Sequence, residues 1–437
     1  MTQSPVRIGL LGCGTVGAAL VQLLRAEAPD ITARTGLTLE VTRIAVRDVT
    51  RDRGLDLADG VLTDDPAAVV ADPDVDLVVE VIGGLDPARR LVLDALAAGK
   101  PVVTGNKELL ASAGAELFAA ADAAGVDLLF EAAVAGGIPF VRPLRESLLG
   151  EPIERVMGIV NGTTNYILTR MTDDGASYED ALAEAQRLGY AEADPTADVE
   201  GYDARAKAAI IASIAFGVDV AATAVHCEGI SRITADDIAG ATRRGYVIKL
   251  LAVAERADRS EGTKAGAVAV RVHPALVPQH HPLASVRGSF NAVFVQGRAV
   301  GDLMFYGRGA GGMPTASAVL GDVIDAARNR VAGSSAAIGT LAPAVLVPID
   351  DLVSEYSIVI DVADRPGVLA AIAGAFARNE VSIRSMEQEG LGDAARIVFI
   401  THEARERSVN ATLAELRELD VVTGVGNVLR LVADEDA

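Results

Sequence analysis

The sequence predicts an α/β protein. It begins with a Rossmann-type, doubly wound parallel sheet, continues into an α+β region, and ends in a separate β-α-β-β-α-β unit. Two observations predict the first part: short apolar strands alternate with helical runs over the first 150 residues, and the first of those strands runs straight into a glycine-rich turn that opens a helix. A third, the change of pattern after residue 350, predicts the last part.

Val6 to Leu11 is the first strand, and Gly12-Cys13-Gly14-Thr15-Val16-Gly17 follows it directly, ahead of the helical AALVQLLRAEA. This is G-x-G-x-x-G between a strand and a helix. The first glycine permits the tight turn, the second lets backbone approach a pyrophosphate, and the third lets the helix pack on the strand. Gly12, Gly14, Thr15, Val16 and Gly17 are therefore candidate dinucleotide-binding residues, the alternative being a glycine turn without a ligand. The next strand, Leu39 to Val46, ends in Arg47-Asp48 with Arg51 and Arg53 beyond, and its tip carries no acid to take a ribose 2′-hydroxyl. An arginine there accepts a 2′-phosphate instead, so NADP(H) is preferred and NAD(H) stays open, with Arg47 best placed.

Further strands at Leu77 to Ile82, Val102 to Thr104 and Val126 to Phe130 are separated by helical runs at Pro87 to Ala98 and Leu109 to Ala124. The carboxyl ends of such strands carry function, and Gly83-Gly84, Asn106-Lys107 and Glu131 to Gly137 fall there. Lys107 thus faces the cofactor cleft. From Ile153 longer strands and helices mix, with helices at Tyr178 to Gly189 and Ala204 to Gly217 and strands at Ala267 to Val272, Ala292 to Gly297 and Gly301 to Gly307. His273, His280 and His281 read as a Pro-rich loop, with no acid or cysteine at metal-ligand spacing. A second glycine loop, Gly307 to Gly312, precedes a helical run from Thr315 to Asn329.

Residues 331–350, rich in Ala, Gly, Ser and Pro, read as a linker. The expected organisation is a dinucleotide-binding domain over 1–150, to which the helix at 315–330 returns, a substrate and oligomerisation domain over 151–330, a linker over 331–352 and a C-terminal domain over 353–437. A chain of 437 residues is long enough for about three domains. It has no apolar run long enough to span a membrane and no secretory signal pattern, so a cytoplasmic protein is expected. The formal net charge of −21 argues against nucleic-acid and membrane surfaces, and two cysteines are too few for a disulfide framework.

The most informative stretch is AQRLGYAEADPTADVEGYDARAK, Ala185 to Lys207, which leads into the apolar AAIIASIAFG. Asp203 and Lys207 stand four apart, so on a helix they share one face with Ile210, Ile211 and Ile214. The bland alternative is a surface ion pair of about 0.3–0.5 kcal/mol. A lysine at the edge of an apolar face, with Glu192, Asp194 and Asp198 upstream, instead suits a small polar substrate on which an oxygen gains charge.

The pattern A-x3-G-Y-A-x2-D-P-x2-D-V-x-G-x-D-x3-K resembles the signature of the homoserine dehydrogenase family. EVIGG at Glu80, GNK at Gly105, EAAVAGGIP at Glu131 and GIVNGTTNYIL at Gly158 are similar to its other blocks. The resemblance implies reduction of aspartate 4-semialdehyde to homoserine. In that reading Lys207 is the candidate general acid, Asp203 holds the substrate or orients Lys207, Glu192 takes the substrate's α-amino group with Asp198 nearby, and Lys107 lies between cofactor and substrate. It also assigns Gly311 to cofactor contact, and a monovalent cation (Na+ or K+) to Glu131 and the carbonyls of Val134, Gly136 and Ile138. From chemistry alone the last segment reads as a close-packed strand exit. The C-terminal unit, with Asp-Arg-Pro-Gly-Val-Leu from Asp364, resembles an ACT domain, which implies an amino-acid effector, threonine, and a homo-oligomer, dimer or tetramer. Another NAD(P)-dependent amino-acid dehydrogenase and a catalytically silent NADP-binding sensor stay open as alternatives.

Overall fold

Parallel strands that are covered on both faces must be apolar throughout, and the first sheet shows it: Ile8, Leu10, Leu11, Leu77, Val78, Val79, Val102 and Val103 are all fully buried. In the computed structural model, which describes residues 4–257, 266–336, 338–339, 341–390 and 394–433, six strands form this sheet. They are β1 (Val6–Leu11), β2 (Leu39–Ala45), β3 (Leu62–Thr63), β4 (Leu77–Glu80), β5 (Val102–Thr104) and β6 (Leu128–Leu129), in the order β3-β2-β1-β4-β5-β6. Every pairing is parallel. The order reverses between β1 and β4, which leaves a crevice beyond their carboxyl ends.

The helices on this sheet are α1 (Thr15–Thr35), α2 (Pro66–Ala71), α3 (Ala88–Ala97) and α4 (Lys107–Ala124). A late helix, Gly312–Ala332, joins them: its Ala316, Val319, Leu320, Val323 and Ala327 share one core with Leu20 and Leu24 of α1 and Ile8 of β1. The strand Leu62–Thr63 and the helix Pro66–Ala71 are too short for periodicity to reveal.

Two units make up the chain: Met1–Gly162 with Asp203–Val225 and Phe290–Ala344, and Thr163–Tyr202 with His226–Ser289 and Val345–Ala437. The first unit also holds the antiparallel strands Ile153–Ile159, Phe290–Gly297 and Gly301–Arg308. In the second, Tyr246–Arg256 pairs antiparallel with Ala267–Pro278. The latter is longer than expected and contains His273, which is 3% exposed and lies in no loop. The Pro274 that suggested a loop sits opposite Leu250, and on the other side Ala275 is in register with Arg430, so neighbours on both flanks carry the strand through the proline.

The C-terminal strands run Tyr356–Ala363, Ile383–Gly390, Ala394–Thr401 and Val422–Leu431, with helices Val368–Arg378 and Glu406–Arg417 on one face. Their order places the first between the last and the third, with the second at the edge. The last strand also pairs parallel with Ala267–Pro278, through Ala275↔Arg430 and Leu276↔Leu431. Within the stretch read as a linker, Val345–Leu346 pairs with Ala267–Val268 and Ala342–Pro343 pairs with Val218–Asp219. Among the described residues no helix is long and apolar enough to cross a membrane.

Candidate active site

The glycine turn forms as its residue types require. Gly12 has φ +99°, and a Cβ there would lie 2.8 Å from the Val81 carbonyl; a Cβ on Gly17 would lie 2.2 Å from the Gly12 carbonyl, so the third glycine is what lets α1 approach the strand. Nothing stands within 4 Å of a Cβ built on Gly14. The N-terminus of α1 has no side-chain cap and no acid in its first turn. Its backbone N–H groups are thus open to an anion, as a pyrophosphate would require. Thr15 is exposed there, Val16 is half-buried, and Arg47 is exposed at the end of β2. Arg53 is near enough to Cys13 to influence its thiol, which burial pushes up while the arginine opposes.

A cavity of about 280 Å³ is lined by Gly84, Asn106, Lys107, Ala133, Lys207 and Gly309, among others. Its walls are set by buried polar ties. Glu80, at the end of β4, accepts from Ile82 N–H and Gly83 N–H and from Thr104 Oγ1. Asn106 caps α4 by accepting from Leu109 N–H at 3.1 Å and donates to the Gly84 carbonyl at 2.7 Å. Lys107 is consequently the first residue of α4, held at the cavity wall.

Asp203 and Lys207 share the first two turns of the helix Tyr202–Phe216. Lys207 Nζ donates to Asp203 Oδ2 at 2.7 Å and to the Val160 carbonyl at 2.7 Å, and Lys107 bonds the other oxygen, Oδ1. Asn161 Nδ2 adds a bond to Oδ2 at 2.9 Å. Burial by itself would raise the Asp203 carboxyl, but Lys207 and then Lys107 outweigh it and hold the group well below the usual carboxylate range. Lys207 is 9% exposed, and Lys107 is more open. The arrangement is one anion between two ammonium groups at the wall of a cleft, able to hold a polar substrate and to supply a proton to an oxygen. Sequence reasoning placed Lys107, Asp203 and Lys207 but not Asn161 or the Val160 carbonyl. Their signal was the block GIVNGTTNYIL, where a strand gives way to a helix at Asn161.

Glu192 and Asp198 belong to the second unit. Glu192 is exposed, and Asp198 is half-buried in the short helix Thr196–Val199. Thr163 Oγ1 donates to the Tyr190 carbonyl at 2.7 Å, fixing the start of that segment. The metal reading for histidines finds no constellation: His273 is buried in its strand, where burial and then Arg430 and Arg271 push its pKa well below the ordinary value. Among the described residues no group of three His, Cys, Asp or Glu side chains could hold a metal.

The segment Glu131 to Gly137 is built tightly. The Glu131 carboxylate accepts from Phe140 N–H at 2.5 Å, Val141 N–H at 2.7 Å and Arg142 N–H at 2.8 Å. Glu131 N–H donates to Asp322, and Arg142 reaches the other oxygen of Asp322. Ala135 and Gly136 both have positive φ, 57° and 58°, and a Cβ on Gly136 would lie 2.1 Å from the Gly309 carbonyl. A non-glycine residue held there costs about 1–2 kcal/mol, which the surrounding bonds offset. Gly311, with φ +123°, caps the late helix next to Gly309 and Ala310 of the cavity wall. A larger cavity, about 520 Å³, lies between α4 and the far end of the helix Tyr202–Phe216 and includes none of these residues.

Comparison with known proteins accords with this construction. Residues 12–131 match the model of the homoserine dehydrogenase NAD-binding domain, residues 139–324 that of homoserine dehydrogenase, and residues 356–421 that of the ACT domain. Homoserine dehydrogenases of Mycobacterium tuberculosis and Corynebacterium glutamicum are each 52% identical to the chain, covering 98% and 99% of it and 98% and 96% of their own lengths. A solved homoserine dehydrogenase from Thiobacillus denitrificans superposes with a TM-score of 0.91 at 45% identity, over 98% of both chains. A hyperthermophilic archaeal homoserine dehydrogenase, solved in complex with NADPH, covers 74% of the chain and 98% of its own with a TM-score of 0.62 at 29% identity. The dinucleotide turn, the two-lysine cleft and the C-terminal unit thus belong to one enzyme: the chain is a member of the homoserine dehydrogenase family, NAD(P)-dependent oxidoreductases, with a C-terminal ACT domain.

Proposed function

We propose that the protein reduces L-aspartate 4-semialdehyde to L-homoserine with NADPH, and that threonine inhibits it. The observation that carries the catalytic part is the cluster of Lys107, Asp203 and Lys207 on a cleft walled by glycine loops. The nicotinamide, when bound, supplies the hydride that makes the new C–H bond at the aldehyde carbon. Lys207 gives a proton to the aldehyde oxygen as its charge develops, so the C=O bond becomes C–OH and the lysine is left as a neutral amine. Asp203 keeps the Lys207 side chain aimed, and Lys107 stands as a second lysine at the cleft wall. Oxidation of NADPH on addition of aspartate semialdehyde tests the whole reading; cofactor binding without turnover points to a sensor, and turnover only with another amino acid to a different dehydrogenase.

Arg47, exposed at the tip of β2, is the residue for the 2′-phosphate. Arg47→Ala is expected to raise the KM for NADPH much more than that for NADH, since only NADPH has that phosphate to lose. Equal losses remove the arginine from the cofactor site.

A monovalent cation, Na+ or K+, is the proposed occupant at Glu131 and the carbonyls of Val134, Gly136 and Ile138. In support, no described hydrogen bond reaches the carbonyls of Val134, Gly136 and Ile138. The Glu131 side chain is engaged by three backbone N–H groups, and its carbonyl accepts from Val134 N–H at 3.4 Å.

For the ACT domain, the loop Asp364 to Gly367 leads into the uncapped N-terminus of the helix Val368–Arg378, which suits an amino acid's carboxylate. The strand Ile383–Gly390 ends its sheet and is largely exposed, an edge for a homo-oligomer. Deletion of 353–437 would strip Val422–Leu431 from Ala267–Pro278, so the test uses the whole chain. Millimolar threonine is expected to slow the intact enzyme, and Gly367→Val, which strains the backbone at φ +95°, to relieve it. An enzyme indifferent to threonine leaves the domain as an assembly element.

A further inference from the structure

Arg430 stands on the last strand of the C-terminal domain and is 5% exposed. Its guanidinium donates to both oxygens of Glu406, at 2.9 Å and 2.7 Å, and the same NH2 group donates to Glu228 Oε1 at 2.8 Å. Glu406 also accepts from the buried Tyr356 hydroxyl at 2.7 Å, so the Arg430 side chain is anchored in the C-terminal domain's own core. Glu228 lies outside that domain, just after the strand His226–Cys227, which pairs with Ala267–Pro278. Burial would raise the Glu228 carboxyl, but His226 and Arg430 hold it well below the carboxylate range, so it is an anion pinned from both sides.

The segment that Arg430 pins clasps another. Ile230 N–H donates to the Val199 carbonyl at 2.8 Å, and Cys227 Sγ donates to the Glu200 carbonyl at 3.2 Å. Gly229 is pressed on the same backbone: a Cβ there would lie 2.2 Å from the Val199 carbonyl and 2.5 Å from Glu200 Cα. A Cβ on Gly201, at φ +80°, would lie 3.0 Å from Cys227 Sγ. Residues 199–201 are therefore held on one side by 227–230. Two residues later in the chain comes Asp203, in the first turn of the helix that also bears Lys207.

We infer that Arg430 and Glu228 are positioning residues for the reaction: through the 227–230 clasp, the C-terminal domain sets the turn at 199–201 from which Asp203 is presented. The sheet continuity at Ala275↔Arg430 gives the contact a rigid base, so paired backbone and one ion pair join the C-terminal domain to the segment that clasps the 199–201 turn. This rests on the reading of Asp203 and Lys207 as catalytic groups.

Glu228→Ala is the primary test, because Glu228 is partly exposed and Arg430 keeps its Glu406 bonds when it is removed. The expected result is a loss of about 10-fold in kcat/KM for homoserine oxidation with the KM for NADP+ unchanged, since a small displacement of a reacting group far from the mutation is enough. Arg430→Met should give the same split, and the double variant should be no worse than the poorer single. A merely structural role would lower thermal stability and leave the kinetics of folded enzyme alone. Wild-type kcat/KM in folded Glu228→Ala overturns the inference, as do losses that multiply in the double variant. If Arg430→Met does not fold, Glu228→Ala still decides. Asp203→Ala, run beside them, separates the two readings: an inactive Asp203→Ala with a normal Glu228→Ala sinks the positioning role alone, whereas an active Asp203→Ala sinks the catalytic assignment itself.

Discussion

Lys207→Ala is expected to lower turnover by roughly 10²–10⁴-fold, the range for loss of a positioned general acid, while NADPH still binds and the fold persists. Removing the ammonium takes away its bonds to Asp203 and to the Val160 carbonyl. Asp203 keeps Lys107 and Asn161, so the carboxylate does not become a buried unpaired charge. For that reason the loss should appear in kcat more than in stability. Lys107→Ala is the informative companion: Lys107 is the more open of the two lysines, and a comparable fall in kcat for both variants assigns the proton transfer to the pair. Near-normal turnover in Lys207→Ala would falsify its role as the acid. Stopped-flow measurement of NADPH oxidation, with cofactor binding measured separately, makes the distinction.

The largest effect on stability is expected at Glu131. Its carboxylate, 4% exposed, gathers the N–H groups of Phe140, Val141 and Arg142 at the start of a short helix. Glu131→Ala leaves those three donors without their acceptor, and a loss of about 3–5 kcal/mol follows from charge-assisted bonds that no water replaces fully. Glu131→Gln should recover part of it, because an amide oxygen still accepts. If a cation sits on the Glu131 carbonyl, the response of Glu131→Gln to Na+ or K+ persists; a denaturation midpoint unchanged in Glu131→Ala removes the structural account.

A pH effect accompanies this cluster. Burial raises the Asp322 carboxyl to about 7, against the opposing bond from Glu131 N–H. A folded value above the unfolded one of about 4 means that the folded state holds the extra proton. Its contribution to stability is complete below about pH 4 and is lost as the pH rises through about 7. Asp322→Asn should flatten the decline of the melting temperature between pH 5 and 8; an identical slope in both proteins would assign the dependence to other groups.

Much of this protein was determined by local sequence. Gly12 and Gly17 between an apolar strand and a helix define their turn by sterics, because a Cβ on either meets a carbonyl at once. The Val6–Leu11 strand falls where its apolar run puts it, since nearly all of it is buried. Asp203 and Lys207 are a spacing-of-four pair on a helix, legible from one turn of geometry. Other features carried no local signal. Tyr246–Arg256 is apolar without a period, and its strand character comes from its antiparallel neighbour. His273 is in a strand because pairing on both flanks overrides the proline that follows it. The approach of Lys107 to Asp203 joins residues 96 positions apart, and Arg430 meets Glu228 across 202, distances at which no pattern along the chain reports contact. Local sterics and hydrophobic period determined the elements and the residue types of the site. Only the tertiary structure decided which charges meet, because the energy of a buried ion pair depends on what surrounds it and on the burial of both partners together.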